Sequence, residues 1–219
     1  VGLVGSEMCI RDRFGAWRSV DHSQHGFFTE SFIDEVANTV GKDSYELRAE
    51  LLRDNPRHLA VLTKAAEEAD WSTPLPEGRG RGISLQESFG SIVAQVVEVT
   101  VVNGQLSVDR VVAVIDAGIA VAPDGIIAQL ESGIIYGLTA ALHGEITIEN
   151  GSVVQGNFDD YKSVRMSEAP VIESHVINSG HDIGGAGEPG TPGIAPALAN
   201  AVYDATGLRI RQLPIGNFD

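Results

Sequence analysis

The sequence predicts an α+β domain, with helices filling the first part of the chain and β-hairpins mixed with helices filling the rest. Three observations carry this. Apolar residues recur at helical spacing up to about residue 69. From Ile83 the periodicity changes, and Val-rich stretches flank Asn103-Gly104, a strong signal for a two-residue hairpin turn. Asn150-Gly151 repeats that signal further on. Hairpins alongside helices argue against a doubly wound parallel sheet. Neither a G-x-G-x-x-G after a strand nor a G-x-x-x-x-G-K is present, so nicotinamide and nucleotide triphosphate enzymes lose weight.

Each element has a local reason. Phe28, Phe32, Val36 and Val40 recur every four residues and Gly41 stands where a terminating glycine belongs, which predicts the first helix. Asp43 followed by Glu46 resembles a capping box for a second helix through about Leu52. Asn55-Pro56 reads as an N-cap with proline at N1, starting a third helix toward Ala69. Residues 71–82, with Pro74, Pro76 and three glycines, read as a linker or long loop. Ile92–Val102 and Gln105–Ile115 form the predicted hairpin. Pro123 starts a helix to about Leu142 with Ile127, Leu130, Ile134, Leu138 and Leu142 on one side. Gly133 and Gly137 leave a flat strip on it where another backbone can approach. A short hairpin around Asn150, a strand over Pro170–Ile177, and a helix capped by Thr191, begun by Pro192 and stopped by Gly207 complete the prediction.

The chain has 219 residues, 43% of them hydrophobic, enough for a sizeable core in one large domain or two small ones. Its net charge of −15 disfavours nucleic acid, which needs clustered Lys and Arg. No apolar run is expected to approach the roughly 18 residues of a bilayer-spanning helix. The opening residues lack period and cap, and Glu7–Asp12 resembles the translation of a transposon adapter used in sequencing libraries. Residues 1–13 are therefore set aside as non-native. Cys9, the only cysteine, goes with them, leaving no disulfide, thiolate nucleophile or Cys-ligated cluster. With that start, the chain is expected to be a fragment of a longer protein, its native N-terminus and any signal peptide missing.

The most informative stretch is Gly184–Gly193, G-G-A-G-E-P-G-T-P-G, which sets one carboxylate, Glu188, between glycines and prolines. Glycine lets backbone approach a ligand and proline stiffens the turn, so Glu188 is a candidate general base; a rigid turn with a solvated Glu is the plainer alternative. Gln129, in the first turns of its helix, offers both amide donors and an acceptor, which suits a heteroatom-rich cofactor; an exposed helical glutamine is the plainer alternative. The loop Arg18–Gln24 is the third polar segment. The six histidines form no H-E-x-x-H; His22 and His25 lie three apart, ahead of the first helix. No G-x-S-x-G exists, and Asp159-Asp160 read as turn residues.

Together these segments resemble the molybdenum-binding large subunit of the xanthine dehydrogenase/aldehyde oxidase family, most of all its isoquinoline 1-oxidoreductase β-subunit branch. The resemblance covers residues 14–219, the C-terminal part of the molybdopterin-binding domain. Its motifs are W-R-S-V-D-H-S-Q with F-F-T-E-S-F-I-D-E, S-F-G-S-I-V-A-Q-V-V-E-V, D-A-G with Q-L-E-S-G-I-I-Y-G-L, G-G-A-G-E-P-G-T-P, and A-N-A-V-Y-D-A-T-G-L-R-I-R-Q-L-P. By this resemblance Glu188 is the base that deprotonates a molybdenum-bound hydroxide. Gln129 hydrogen-bonds the pterin, and Gly187 lies against the cofactor. Arg18 and Gln24 begin and end a loop whose backbone faces the metal centre. The sequence departs from the family where Ser19, Val20, Asp21, His22 and Ser23 replace a glycine-rich core, and where Ser132 stands at a common glycine.

The resemblance implies oxidation of an aldehyde or N-heteroaromatic carbon with water as oxygen source. It implies molybdenum–molybdopterin, in the cytosine dinucleotide form, and [2Fe-2S] clusters on a small iron–sulfur partner subunit. Two alternatives stand beside it: a non-catalytic fragment contributing part of the cofactor site and a subunit interface, and a His-dependent metallohydrolase using His22 and His25. Compartment stays open between cytoplasm and periplasm.

Overall fold

The computed structural model describes residues 16–216; the segment set aside at the start, with Cys9, lies outside them. Three helices come first, α1 (His22–Thr39), α2 (Ser44–Leu51) and α3 (Pro56–Glu68). Gly41, at φ +68°, ends α1 with its N–H on Asn38 O and that of Lys42 on Ala37 O, the pair of bonds a left-handed glycine permits. Asp43 caps α2, its carboxylate accepting from the amides of Tyr45 (2.8 Å) and Glu46 (3.0 Å). Pro56 opens α3, whereas Asn55 makes no side-chain cap bond. Proline's preset φ starts that helix without help.

Six strands follow: β1 (Arg79–Ser88), β2 (Ser91–Val102), β3 (Gln105–Asp116), β4 (Ile148–Glu149), β5 (Ser152–Val153) and β6 (Val171–Ile177). The main sheet has the order β1-β2-β3-β6, antiparallel except for the parallel pair β3–β6, and β4–β5 form a separate hairpin. The parallel crossover contains α4 (Pro123–Leu142), and α5 (Ile194–Thr206) closes the chain order. Asn103 (φ +51°) with Gly104 (φ +76°), and Asn150 (+50°) with Gly151 (+78°), are left-handed as the two-residue hairpin turn demands.

The sheet is buried on both faces, which is why β2 reads as a nearly unbroken apolar run. Val93, Val97, Val111, Ala113 and Ile115 pack against Leu130, Ile134 and Leu138 of α4 and Ala197, Leu198 and Ala201 of α5. Ile83, Ile92, Ala94, Val96, Val112 and Val114 pack on the opposite side against Val61, Leu62 and Ala65 of α3. Opposite the Glu98–Val99 step, β3 carries one extra residue, Asp109, so Val108 and Val111 both face α4 and α5 despite their odd spacing.

Several expectations change. Residues Arg79–Gly82 belong to β1 rather than to a loop. A Cβ on Gly80 would stand 2.2 Å from Ala201 O, and one on Gly82 2.2 Å from Ala197 O, so these glycines let α5 lie directly on the strand. The last helix starts at Ile194, not Pro192, with Gly193 at its N-cap and no side-chain cap. α4, at 20 residues and mean hydropathy 1.3, is long and apolar enough to cross a bilayer, contrary to the expected absence of such a run. Its Leu130, Ile134, Leu138 and Ala141 are instead fully buried in the core.

The largest correction concerns α1. It begins at His22, so His22 and His25 lie on the helix and not ahead of it. Its apolar stripe faces outward: Phe28 and Phe32 are each 64% exposed, and Val36 and Val40 join them, while Glu30, Ser31, Asp34 and Ala37 face inward. The reason lies in β1, an edge strand whose outward polar groups need partners. Glu30 Oε2 accepts from Leu85 N (3.0 Å), Asp204 Oδ2 accepts from Arg81 N (2.9 Å), and Asn200 Nδ2 donates to Ile83 O (3.3 Å). Arg48, itself buried, donates through Nε to Glu30 Oε2 (3.0 Å) and through Nη2 to Glu30 O (2.9 Å).

Candidate active site

Glu188 lies where the segment leaving β6 reaches α5, and both sides of its loop are fastened. Downstream, Gly190 sits on α4, a Cβ there standing 2.7 Å from Leu130 O. Gly133 and Gly137 form the flat strip beneath it: their added Cβ atoms would meet Gly190 Cα (3.1 Å) and Thr191 O (2.9 Å). Gln95, buried in β2, donates to Gly190 O (2.7 Å), and Thr191 N donates to Glu188 O (3.0 Å). Upstream, Gly185 N donates to Phe89 O (2.8 Å) and Ser91 Oγ to Gly185 O (2.7 Å).

The arginine loop reaches the same place. Arg18 Nε donates to Gly187 O (2.8 Å), Nη1 to Ser132 Oγ (2.9 Å), and Nη2 to Gln129 Oε1 (3.0 Å) and Gln129 O (3.3 Å). Nη2 also donates to Gly187 O. One guanidinium therefore ties the Glu188 loop to the first turns of α4, using the planar fork that lysine lacks. It lies 5.8 Å from the Tyr136 ring centroid, and Trp17 packs on that ring at 5.1 Å. The next residue, Ser19, points its N–H at Glu188 Oε1 (3.4 Å). Ser19 (φ +76°) and Val20 (φ +46°) hold left-handed conformations. Two residues other than glycine thus hold a conformation that favours glycine, with strain at the β-branched Val20.

Four of the five expected site residues converge. Arg18, Gln129 and Gly187 are hydrogen-bonded together, and Glu188 joins them through the Ser19 amide. Gln24 stands apart from that network. In the first turn of α1, with its amide turned to donate, it lies 3.0 Å from Val20 O and 3.2 Å from Asp21 O, closing the arginine turn. Two residues with direct contacts here escape sequence reasoning. Ser132 shows in the sequence only as a departure from glycine, yet its hydroxyl accepts from Arg18. Gln95 carries a usable signal, since a lone amide inside a valine-rich strand must find a partner.

The cluster lies at the surface: Gln129, Ser132 and Gly187 are exposed and Glu188 is half-buried. Among the described residues, Gln129 Nε2 and the amides of Ala186, Gly187 and Glu188 donate to no protein acceptor. Among the described residues, only Gln129 Oε1, at 4.0 Å, approaches an added Cβ at Gly187. Open backbone beside unused donors fits a ligand rich in nitrogen and oxygen acceptors, such as a pterin. The histidine alternative finds no such fit. His22 stacks edge-on against Phe89 at 5.1 Å, His25 lies 3.9 Å from Asp21, and no group of three or more His, Cys, Asp or Glu converges among the described residues.

A family model described as a molybdopterin cofactor-binding domain matches residues 36–170. That range includes Gln129 but neither Arg18 nor Glu188. The beta subunit of isoquinoline 1-oxidoreductase from Brevundimonas diminuta is 34% identical over 90% of this chain and 26% of its own length. A nicotinate dehydrogenase subunit from Pseudomonas putida is 33% identical over 90% of this chain and 18% of its own. The chain thus spans about a quarter or less of these two relatives. Among solved structures, aldehyde oxidoreductase from Desulfovibrio gigas superposes with a TM-score of 0.69 over 91% of this chain and 40% of that one, at 14% identity, a likeness of fold.

Proposed function

The chain belongs to the molybdopterin cofactor-binding domain family, and from that membership we propose that it supplies the base-bearing face of a molybdenum hydroxylase. The observation that carries the proposal is the joining of Glu188, Gly187 and Gln129 by one loop, through the Arg18 guanidinium and the Ser19 amide.

The cofactor, when bound, supplies a redox metal that acidifies water and accepts the substrate's electrons. The chain supplies a base and part of the cofactor's hydrogen-bonding. Gln129 Nε2 and the amides of residues 186–188, which have no acceptor among the described residues, would hold the pterin's heteroatoms. Ser19 N–H engages Glu188 Oε1, which leaves Oε2 to take the proton from the oxygen attacking the substrate carbon. Arg18 spends its donors on Gly187, Gln129 and Ser132, so it acts as a strut and not as an acid. The proposed substrates are aldehydes or N-heteroaromatic compounds, and the proposed cofactor form is the cytosine dinucleotide. The electrons are proposed to leave through [2Fe-2S] clusters on a small partner subunit; the single cysteine of this chain cannot by itself ligate one.

In the full-length subunit, Glu188→Gln should keep its molybdenum and lose turnover by about a hundredfold or more. Normal turnover in that variant rejects the assignment. The exposure of Gln129 and Gly187 favours a second reading for the isolated segment, a non-catalytic piece that holds only one side of the cofactor. Stoichiometric molybdenum on purified residues 14–219 would contradict it.

A further inference from the structure

We infer that the Arg57–Asp116 ion pair is a positioning element for Glu188, the anchor of the upstream side of its loop, an inference that rests on the base role proposed above. Asp116 ends β3, is 1% exposed, and belongs to the D-A-G motif, whose role in the fold the sequence leaves open. Its carboxylate holds three groups from three directions. Oδ2 accepts from Arg57 Nε (2.7 Å), and Oδ1 accepts from Ser179 Oγ (2.7 Å) and Gly118 N (2.8 Å). Arg57, in the first turn of α3, extends the clamp through Nη2 to Asp116 O (3.2 Å) and Gly90 O (3.4 Å). One ion pair thereby fixes the end of β3, the β1–β2 turn and the start of the segment that leaves β6.

From there the segment is laid down bond by bond toward Glu188. Ile119 N donates to His181 O (3.1 Å) and Gly184 N to Ala117 O (3.0 Å). Gly118, at φ +76°, lies so close that a Cβ would stand 2.1 Å from Asp182 O. Gly185 then docks on Phe89 and Ser91, which flank the Gly90 that Arg57 holds. Every one of these contacts precedes the base in sequence, and a carboxylate placed by its upstream track moves when the track's anchor goes. The pair is also reachable: a crevice of about 400 Å³, lined by Arg57, His58, Asp116, Ser179 and His181 among others, lies against it.

The test uses the full-length, molybdenum-loaded subunit, with Glu188→Gln as the reference variant. Arg57→Ala should keep KM and molybdenum content but lose about thirtyfold to a hundredfold in kcat, the scale of a roughly 1 Å misplacement. Hydrogen exchange at the amides of Gly184 and Gly185 should accelerate. Ethylguanidinium, entering the crevice, should restore part of kcat and slow the exchange, and Arg57→Lys should fall between. If Arg57→Ala does not accumulate, Asp116→Asn, which keeps the side-chain volume, carries the kcat, molybdenum and exchange measurements, the guanidinium rescue applying to Arg57→Ala alone. Unchanged exchange at Gly184 and Gly185 overturns the inference, as does a kcat loss that tracks lost molybdenum or resists guanidinium rescue. Normal turnover in Glu188→Gln would instead remove the base, while the exchange measurement still judges the tether.

Discussion

Gly190→Ala tests whether packing against α4 places the base. The added Cβ would stand 2.7 Å from Leu130 O and 3.2 Å from Leu130 Cα, both backbone atoms of a buried helical residue. Ordinary contact begins near 3.4 Å, so about 0.7 Å must be taken up. α4 is held by its own hydrogen bonds and by the sheet, so the loop is the part that gives, and Glu188 is two residues away. If about 1 Å costs a hundredfold, 0.7 Å scales to roughly 25-fold, or about 2 kcal/mol of barrier. Overpacking should also lower stability by about 1–3 kcal/mol. The assay is turnover per molybdenum in the full-length enzyme, with thermal unfolding alongside. Gly125→Ala is the control: its nearest neighbour is Ala122 Cβ at 3.8 Å, so it should keep turnover and gain up to about 1 kcal/mol of helix stability. Turnover of Gly190→Ala within about twofold of the parent would refute the packing argument, since a loop displaced that far cannot keep its rate.

Three more outcomes are expected of the full-length protein. Glu30→Ala strands the buried Arg48 and removes the acceptor of Leu85 N, so urea unfolding should report a loss of about 3–5 kcal/mol; a loss under about 1 would show that the β1 edge needs no such partner. Val20→Gly removes a β-branched residue from φ +46°, and the relief of about 1–2 kcal/mol should exceed glycine's entropy cost of roughly 0.5–1, so a lowered melting temperature would contradict the strain. Burial opposes the charge on Asp116, but hydrogen bonds from Arg57, Ser179 and Gly118 outweigh it and hold the carboxyl below its usual range. The unfolded chain therefore takes up this proton first. The stabilisation is intact above the ordinary carboxylate value and fades as pH falls through the lowered one, so Asp116→Asn should flatten the acid limb of the stability curve.

Features that act over a few residues are legible in the chain alone. Both Asn-Gly turns, the terminating Gly41 and Gly207, the cap at Asp43 and the proline starts of α3 and α4 are demands of local φ and of unpaired helix amides, so residue identity suffices. Motif and loop chemistry single out Arg18, Gln129, Gly187 and Glu188, but their meeting is not derivable from spacing. Arg18 lies 111 residues from Gln129 and 169 from Gly187. Ser132 and Gln95 carry polar groups whose partners, Arg18 and Gly190, come from other elements.

Only the folded chain decided which way α1 turns and what the glycines of β1 are for. A stripe of Phe28, Phe32, Val36 and Val40 looks inward-facing by composition. The open edge of β1 instead requires an acceptor for Leu85 N, which Glu30 supplies with the buried Arg48 paired to it, so the polar side of α1 turns inward. Gly80 and Gly82 look like a linker until α5 is laid across them. In both cases the deciding force is a backbone contact between distant segments, which neither segment's residues announce.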